Sequence, residues 1–265
     1  MDFRDRLLRN DAVRRVRERV GVPRKLAYDM AKQSFLAHQR VQNNTMLPYA
    51  RTAVLYESVA HCERVGVNGS FVECGVWKGG AVGVMAQANL AYGSTPRELH
   101  LFDSFTDICE PDPQFDASDI VDETTKLTGE RTFSGELVPL TGIYDGLGGH
   151  GSIEVCRALL VDELRYPETN IHFHPGWFQD TVPAAVSDGD PGEIAILRLD
   201  GDYYASTRVC LDGLYDKVAS GGFVFIDDYG AYEGCRKAVH DFFESRGISP
   251  FLHYADDICR YWIKS

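Results

Sequence analysis

The 265-residue chain has no apolar run approaching the ~18 residues of a membrane span, which points away from an integral membrane role. It has no internal repeat and no low-complexity tract. Positive charge is scarce: 27 lysines and arginines face 39 aspartates and glutamates, a formal net charge of −12. That balance argues against nucleic acid or an anionic membrane surface as partner. The seven cysteines (Cys62, Cys74, Cys109, Cys156, Cys210, Cys235 and Cys259) are scattered and include no C-x-x-C pair, so neither a disulfide frame nor a zinc site is expected. A reducing cytoplasm suits such thiols. The opening Met1-Asp2-Phe3-Arg4-Asp5-Arg6 lacks the apolar core of a secretory signal, so the protein is expected to stay where it is made. What is present is ordinary for a folded protein, with 44% apolar and 25% charged residues, and one α/β domain with additions fits the length.

From Arg4 to Arg40 the chain is rich in arginine, with Leu7, Leu8, Val13, Val16 and Val20 at helical spacing and a break at Pro23. Asp2, Asp5, Asp11 and Glu18 argue against a mitochondrial presequence. Residues 1–50 are therefore read as a helical arm that docks on the body or on a second copy in a homo-oligomer, and residues 51–265 as the main domain.

Within that domain apolar strands and helical patterns alternate. Helices are predicted over Arg51–Arg64, Ala81–Tyr92, Ile153–Leu164, Ala205–Val218 and Tyr232–Arg246. Strands are predicted over Ser70–Cys74, Glu98–Phe102, Ile171–His174, Ile194–Leu199 and Gly222–Ile226, with two late strands near Phe251–His253 and Arg260–Ile263. Such alternation implies a parallel sheet wrapped by helices, with ligands at the carboxyl ends of the strands. The exception is Ser104–Gly151, long, polar and glycine-rich, which reads as a lid or binding loop or as a disordered surface insert; the insertion as a whole is placed at about 104–165.

The chemistry concentrates at strand ends. Leu199-Asp200-Gly201-Asp202 and Phe225-Ile226-Asp227-Asp228 each close an apolar strand, so four carboxylates face one another across a sheet. At ~4 Å and an effective dielectric near 20, like charges repel by ~4 kcal/mol per pair, which is tolerable when a cation sits between them or a proton is shared. Asp200, Asp227 and Asp228 supply hard oxygen donors suited to Mg²⁺ or Mn²⁺, and Asp202 is left free for another task.

Phe71-Val72-Glu73-Cys74-Gly75-Val76-Trp77-Lys78-Gly79-Gly80 carries a strand through a glycine turn into a helix. Gly75 and Gly79 let backbone approach a ligand, or serve chain geometry alone. The turn lacks the second glycine of a G-x-G-x-x-G nicotinamide site, and Glu73 suits an ammonium or polar tail better than a pyrophosphate. Asp103 ends the next strand, where it can accept ribose hydroxyls or cap a loop through an Asx turn. Trp177, Phe178 and Gln179 follow the His172-Phe173-His174 strand and suit an adenine face and edge, although both aromatics also fit a core. His172 and His174 share a strand face, and with no third ligand in view they read as structural.

Glu73-Cys74-Gly75-Val76-Trp77-Lys78-Gly79-Gly80, Asp103-Ser104-Phe105, Gly176-Trp177-Phe178-Gln179-Asp180-Thr181, Leu199-Asp200-Gly201-Asp202-Tyr203-Tyr204 and Gly221-Gly222-Phe223-Val224-Phe225-Ile226-Asp227-Asp228-Tyr229 occur in one order. In that order the chain, from about Thr45 onward, resembles the macrocin O-methyltransferase family. The resemblance implies a class I methyltransferase Rossmann-like sheet, mostly parallel with an antiparallel late strand, bearing a helical lid. It implies S-adenosylmethionine and Mg²⁺ as cofactors and a sugar hydroxyl of a natural product as acceptor. Glu73, Gly75, Val76, Trp77 and Gly79 would line the methionine end, covered by Thr45 and Met46. Asp103 and Ser104 would hold the ribose, and Trp177, Phe178 and Gln179 the adenine. Asp200, Asp227 and Asp228 match the metal ligands, with Asp200 also beside the cofactor, and Asp202 matches the general base, with Asp200 as the alternative catalytic residue for that role. Alternatives from other classes are a catechol-type O-methyltransferase, a silent adenosyl-binding module and a nicotinamide oxidoreductase.

Overall fold

The computed structural model describes residues 31–117, 121–122, 124–126, 139–140 and 149–265. Most of the predicted N-terminal arm and half of Ser104–Gly151 lie outside the described residues. Gln33–Ser265 forms one compact unit.

In chain order the elements are α1 (Ala31–Val41), α2 (Tyr49–Val65), β1 (Ser70–Cys74), α3 (Gly80–Tyr92), β2 (Leu99–Asp103), β3 (Ile108–Cys109), β4 (Pro139–Leu140), α4 (Ile153–Arg157), β5 (Ile171–Pro175), α5 (Phe178–Ser187), β6 (Ile194–Leu199), α6 (Tyr204–Leu214), β7 (Val218–Ile226), α7 (Glu233–Arg246), β8 (His253–Tyr254) and β9 (Arg260–Ile263). The main sheet runs β5-β2-β1-β6-β7-β9-β8, and β3 pairs with β4 in a separate two-stranded ribbon. The first five strands of the main sheet are parallel, whereas β9 is antiparallel to both β7 and β8. The expected mostly parallel sheet with an antiparallel late strand is what forms.

β1 and β6 are buried along their whole lengths, which accounts for their near-continuous apolar runs. The chain leaves β1 toward β2 and β5, then returns to β6 on the other side, so the strand order reverses between β1 and β6. A doubly wound sheet opens its binding crevice at such a point, beyond the carboxyl ends. Helix ends follow local chemistry: α2 stops at Gly66 and α7 at Gly247, both left-handed, with φ of 78° and 62°. Val72, Phe102, Leu197, Leu211, Val224, Phe242 and Trp262 belong to one core cluster beneath the sheet and its helices.

Three readings need correction. The helix predicted over Ile153–Leu164 is α-helical only to Arg157, then continues as a wider π-type turn over Ala158–Glu163 that buries Leu159 and Leu160. The first late strand is His253–Tyr254, displaced toward the register of β9. Helix α5 was not anticipated, because Pro183 inside it reads as a breaker. No helix among the described residues is long and apolar enough to cross a membrane.

Candidate active site

The site is assembled where β1, β2, β6 and β7 end. Register pairs Cys74 with Leu199 and Leu199 with Ile226, so the residues that follow these strands emerge side by side. Gly75, at φ 87°, must be glycine: a Cβ there would lie 1.8 Å from the Asp200 carbonyl oxygen. Trp77 and Asp202 hold left-handed backbone without being glycine, at φ 47° and 60°, a conformation costing about 1–3 kcal/mol that clusters at functional sites.

Asp103 braces the turn. Its Oδ2 accepts from the Val76 and Trp77 amides at 2.6 and 3.1 Å, and its Oδ1 from the Phe105 amide at 2.7 Å. Burial pushes this carboxyl up and the three amides push it down; burial prevails. The Asx turn is formed; Oδ2 is already taken by two amides, and any capacity for a ligand rests with Oδ1, which accepts one amide and a long 3.5 Å contact from Ser104 Oγ. At the start of α3, Gly80 donates to the Asn44 carbonyl at 3.0 Å, and a Cβ at Gly80 would strike that same oxygen at 2.5 Å. The Asn44–Leu47 segment is thus laid against the glycine turn. From the other side, Gly151 packs on the Trp77 carbonyl and Trp77 Nε1 donates to the Gly149 carbonyl at 3.2 Å.

Donor oxygens of Asp200, Asp227 and Asp228 lie within 4.8 Å of one another. Arg198 donates to Glu73 Oε1, to Asp200 Oδ2 at 2.9 Å and to Asp227 Oδ1 at 2.6 Å. Arg51 reaches Asp227 Oδ2 at 2.5 Å and Asp256 Oδ2 at 2.6 Å. Two buried oxygens, Glu73 Oε2 and Asp228 Oδ2, have no hydrogen-bond partner among the described residues. Burial pushes Glu73 up to about 8 and Asp227 up to about 6. Asp228 and Asp202 are pushed well above the carboxylate range, by burial first and then by neighbouring acids. Glu73, Asp200, Asp202, Asp227 and Asp228 share two guanidiniums, and one of these, Arg51, is itself shared with Asp256, so negative charge exceeds positive if all ionise.

A divalent hard cation fits this set. The donors are carboxylate oxygens within reach of a single ion, and Asp228 offers a buried oxygen that nothing else satisfies.

Two cavity lobes meet at Asp200 and Asp202. Thr45, Met46, Glu73, Val76 and Trp77 line the larger, of ≈ 240 Å³. Gly75, Asp103, Ser104, Trp177 and Phe178 line the smaller, of ≈ 50 Å³. Trp177 and Phe178 also pack on buried Cys109 and Tyr203, so they serve wall and core together. Two of the sequence-predicted residues stand outside both lobes: Gly79, whose left-handed turn faces Cys156, and Gln179, in the first turn of α5. Arg198, Arg51 and Tyr232 line the larger lobe and were missed. A lone arginine within the apolar run Ile194–Leu199 was the available signal for Arg198.

Comparison with known proteins identifies the family. The family model described as Macrocin-O-methyltransferase (TylF) matches residues 9–138 and 160–264. The chain is 38% identical over 199 residues to the 8-demethyl-8-(2,3-dimethoxy-alpha-L-rhamnosyl)-tetracenomycin-C 4'-O-methyltransferase of Streptomyces olivaceus, covering 74% of this chain and 66% of that protein. It is 33% identical over 234 residues to the mycinamicin III 3''-O-methyltransferase of Micromonospora griseorubida, covering 84% and 79%. Among solved structures, the O-methyltransferase NovP superposes with a TM-score of 0.67 at 30% identity, covering 84% of this chain and 82% of that one. The chain belongs to the macrocin O-methyltransferase family, and with that membership it is an O-methyltransferase of class I fold.

Proposed function

We propose that this enzyme methylates a sugar hydroxyl of a glycosylated natural product, using S-adenosylmethionine and Mg²⁺. The observation that carries the reading is the trio Asp200, Asp227 and Asp228, with its unsatisfied Asp228 Oδ2, at the floor of a cavity at the switch point of the sheet. When bound, S-adenosylmethionine supplies an electrophilic methyl group and Mg²⁺ a Lewis acid for the developing alkoxide charge.

The chain's own residues do the rest. Asp200, Asp227 and Asp228 hold the ion, and Arg198 orients two of them. Asp202 takes the proton of the acceptor hydroxyl; burial first, and then its acidic neighbours, raise its basicity. Glu73, with one free buried oxygen, faces the methionine ammonium. Gly75, Val76 and Trp77 form the backbone cradle, with Gly79 setting the turn and Thr45 and Met46 closing over it. Asp103 and Ser104 take the ribose and Trp177, Phe178 and Gln179 the adenine. Ile108 and Cys109, at the start of the insertion, line the smaller lobe beside the groups that take the ribose and adenine. Seven free, buried cysteines suit a cytoplasmic setting.

Isotopically labelled S-adenosylmethionine, offered with a panel of rhamnosylated and other deoxysugar glycosides and with catechols, tests this. Chelator-sensitive labelling of a glycoside is expected. Labelling confined to catechols would reassign the acceptor, and full activity after thorough chelation would remove the metal.

A further inference from the structure

A second cluster of metal-ligating side chains lies away from the acidic cavity. Cross-strand register pairs His100 with His172 and Phe102 with His174 between β2 and β5. The rings form a ladder: Phe102 stacks on His174 at 4.0 Å and His100 on His172 at 4.7 Å, so the two central imidazoles are held in fixed orientation. The sequence showed no third ligand for these histidines. The fold supplies it as Asp190, from the turn before β6, where its carboxylate meets both rings.

His100 Nδ1 lies 3.2 Å from His174 Nε2 and 3.4 Å from Asp190 Oδ1, and His174 Nε2 lies 3.8 Å from Asp190 Oδ2. Bonds of ~2.0–2.1 Å at tetrahedral angles separate neighbouring donors by ~3.3–3.4 Å. The two contacts of His100 match that edge length, His174 meets the other carboxylate oxygen at 3.8 Å, and one donor atom from each residue lies within 4.8 Å of the others. We propose that His100, His174 and Asp190 bind a borderline divalent transition cation of the Zn²⁺ class, with its fourth position open.

The donor set sets the class of ion. Two imidazoles and one carboxylate favour Zn²⁺ or Co²⁺ over Mg²⁺, the reverse of the all-oxygen set at Asp200, Asp227 and Asp228. Access is available, because His100 and Asp190 line an open depression of ≈ 560 Å³ at the amino-terminal end of the sheet, whose wall also carries Glu63, Glu98 and Glu193. His100 is buried and Asp190 is exposed, so an ion there would fasten the turn before β6 to β2 and β5. The inference stands apart from the proposed methyl transfer.

The test uses the full chain, stripped of metal and held in excess Mg²⁺ to occupy the acidic site, then titrated with Co²⁺. One equivalent is expected to produce the strong visible d–d bands of a four- or five-coordinate ion, displaced by Zn²⁺. His174→Ala and Asp190→Ala should each remove the bands and weaken binding tenfold or more, whereas Asp227→Asn should keep them. Asp190→Ala alters an exposed turn; an unchanged metal-free melting temperature would show that its loss of binding is not loss of fold, and a Zn²⁺-induced rise in melting temperature should be present in the parent and absent in the variant. Three results would each overturn the site in favour of a purely hydrogen-bonded histidine ladder: only the weak bands of a six-coordinate ion, no binding in excess Zn²⁺, or affinity indifferent to both substitutions.

Discussion

Glu73 on β1 and Arg198 on β6 stand opposite one another in the parallel register, both buried, and the Arg198 guanidinium donates to the Glu73 carboxylate. The same guanidinium continues to Asp200 and Asp227, so one side chain ties the glycine turn to two acids of the candidate metal centre. Burial alone would discharge such a group, but Asp200, Asp227 and Glu73 together raise its pKa well above the usual value. Breaking a buried pair strands the remaining charge, at a cost of about 3–5 kcal/mol. Arg198→Leu is therefore expected to lower metal-free stability by about that amount in urea unfolding. Arg198→Lys should lose less stability, yet lack the fork that reaches three acids and so lose metal affinity. Stability of the leucine variant within about 1 kcal/mol of the parent would show that the network is not held through this residue.

The acids that end β6 and β7 were legible because each follows an apolar strand, and adjacent parallel strands bring their carboxyl ends together. Arg198 was not, since two of its three partners come from other segments and its own immediate sequence neighbours are apolar. Asp116 and Asp190 were equally silent: each becomes meaningful only through contacts made across long stretches of chain, with Tyr204 and with His100. Helix α5 was hidden by Pro183, whose local signal was overridden by the packing of Val182 and Ala185 into the core.

Asp227→Asn and Asp202→Asn should separate ion holding from proton removal. Losing Asp227 takes one donor from the trio, so turnover should fall at ordinary Mg²⁺ while S-adenosylmethionine affinity, measured by calorimetry, changes little. Losing Asp202 leaves the trio intact, so kcat at saturating Mg²⁺ should drop by roughly 10²–10⁴ with Mg²⁺ affinity no weaker than in the parent. Unchanged kcat in the second variant would move the proton to Asp200 or to water.

Arg51 competes with any cation for Asp227. Its Nη1 occupies Asp227 Oδ2 at 2.5 Å, while its Nε is anchored by Asp256. Asp256 is independently fixed, since its Oδ1 accepts from the Ile258 and Cys259 amides at 2.9 and 2.8 Å. Arg51→Gln should thus free one oxygen and add a net negative charge without moving the loop. Mg²⁺ binding is expected to tighten about tenfold, about 1.4 kcal/mol, and the metal-free variant should melt below the parent. Weaker Mg²⁺ binding by calorimetry would show that the guanidinium supports the site rather than rivals the ion.

Asp116 carries the pH dependence that owes nothing to a bound ion. Its Oδ2 accepts from the Asp112 amide at 2.6 Å and its Oδ1 from the Tyr204 amide at 3.1 Å, against the face of Gly234, where a Cβ would come within 1.6 Å of Oδ1. Burial pushes this carboxyl up to about 6, and the two amides offset only part of that rise. Between the unfolded value of about 3.9 and this folded value, the native state holds more proton than the unfolded one. Unfolding free energy contributed by Asp116 is therefore full below about pH 4 and is lost as pH rises through about 6, a swing of order 3 kcal/mol. Asp116→Asn cannot ionise, so the stability of the variant relative to the parent should improve by that order between about pH 4 and about pH 7. Paired urea titrations across the range measure the difference directly, with every other titrating group common to both proteins. A gap that stays constant with pH would mean that Asp116 ionises in the folded protein as it does in the unfolded chain.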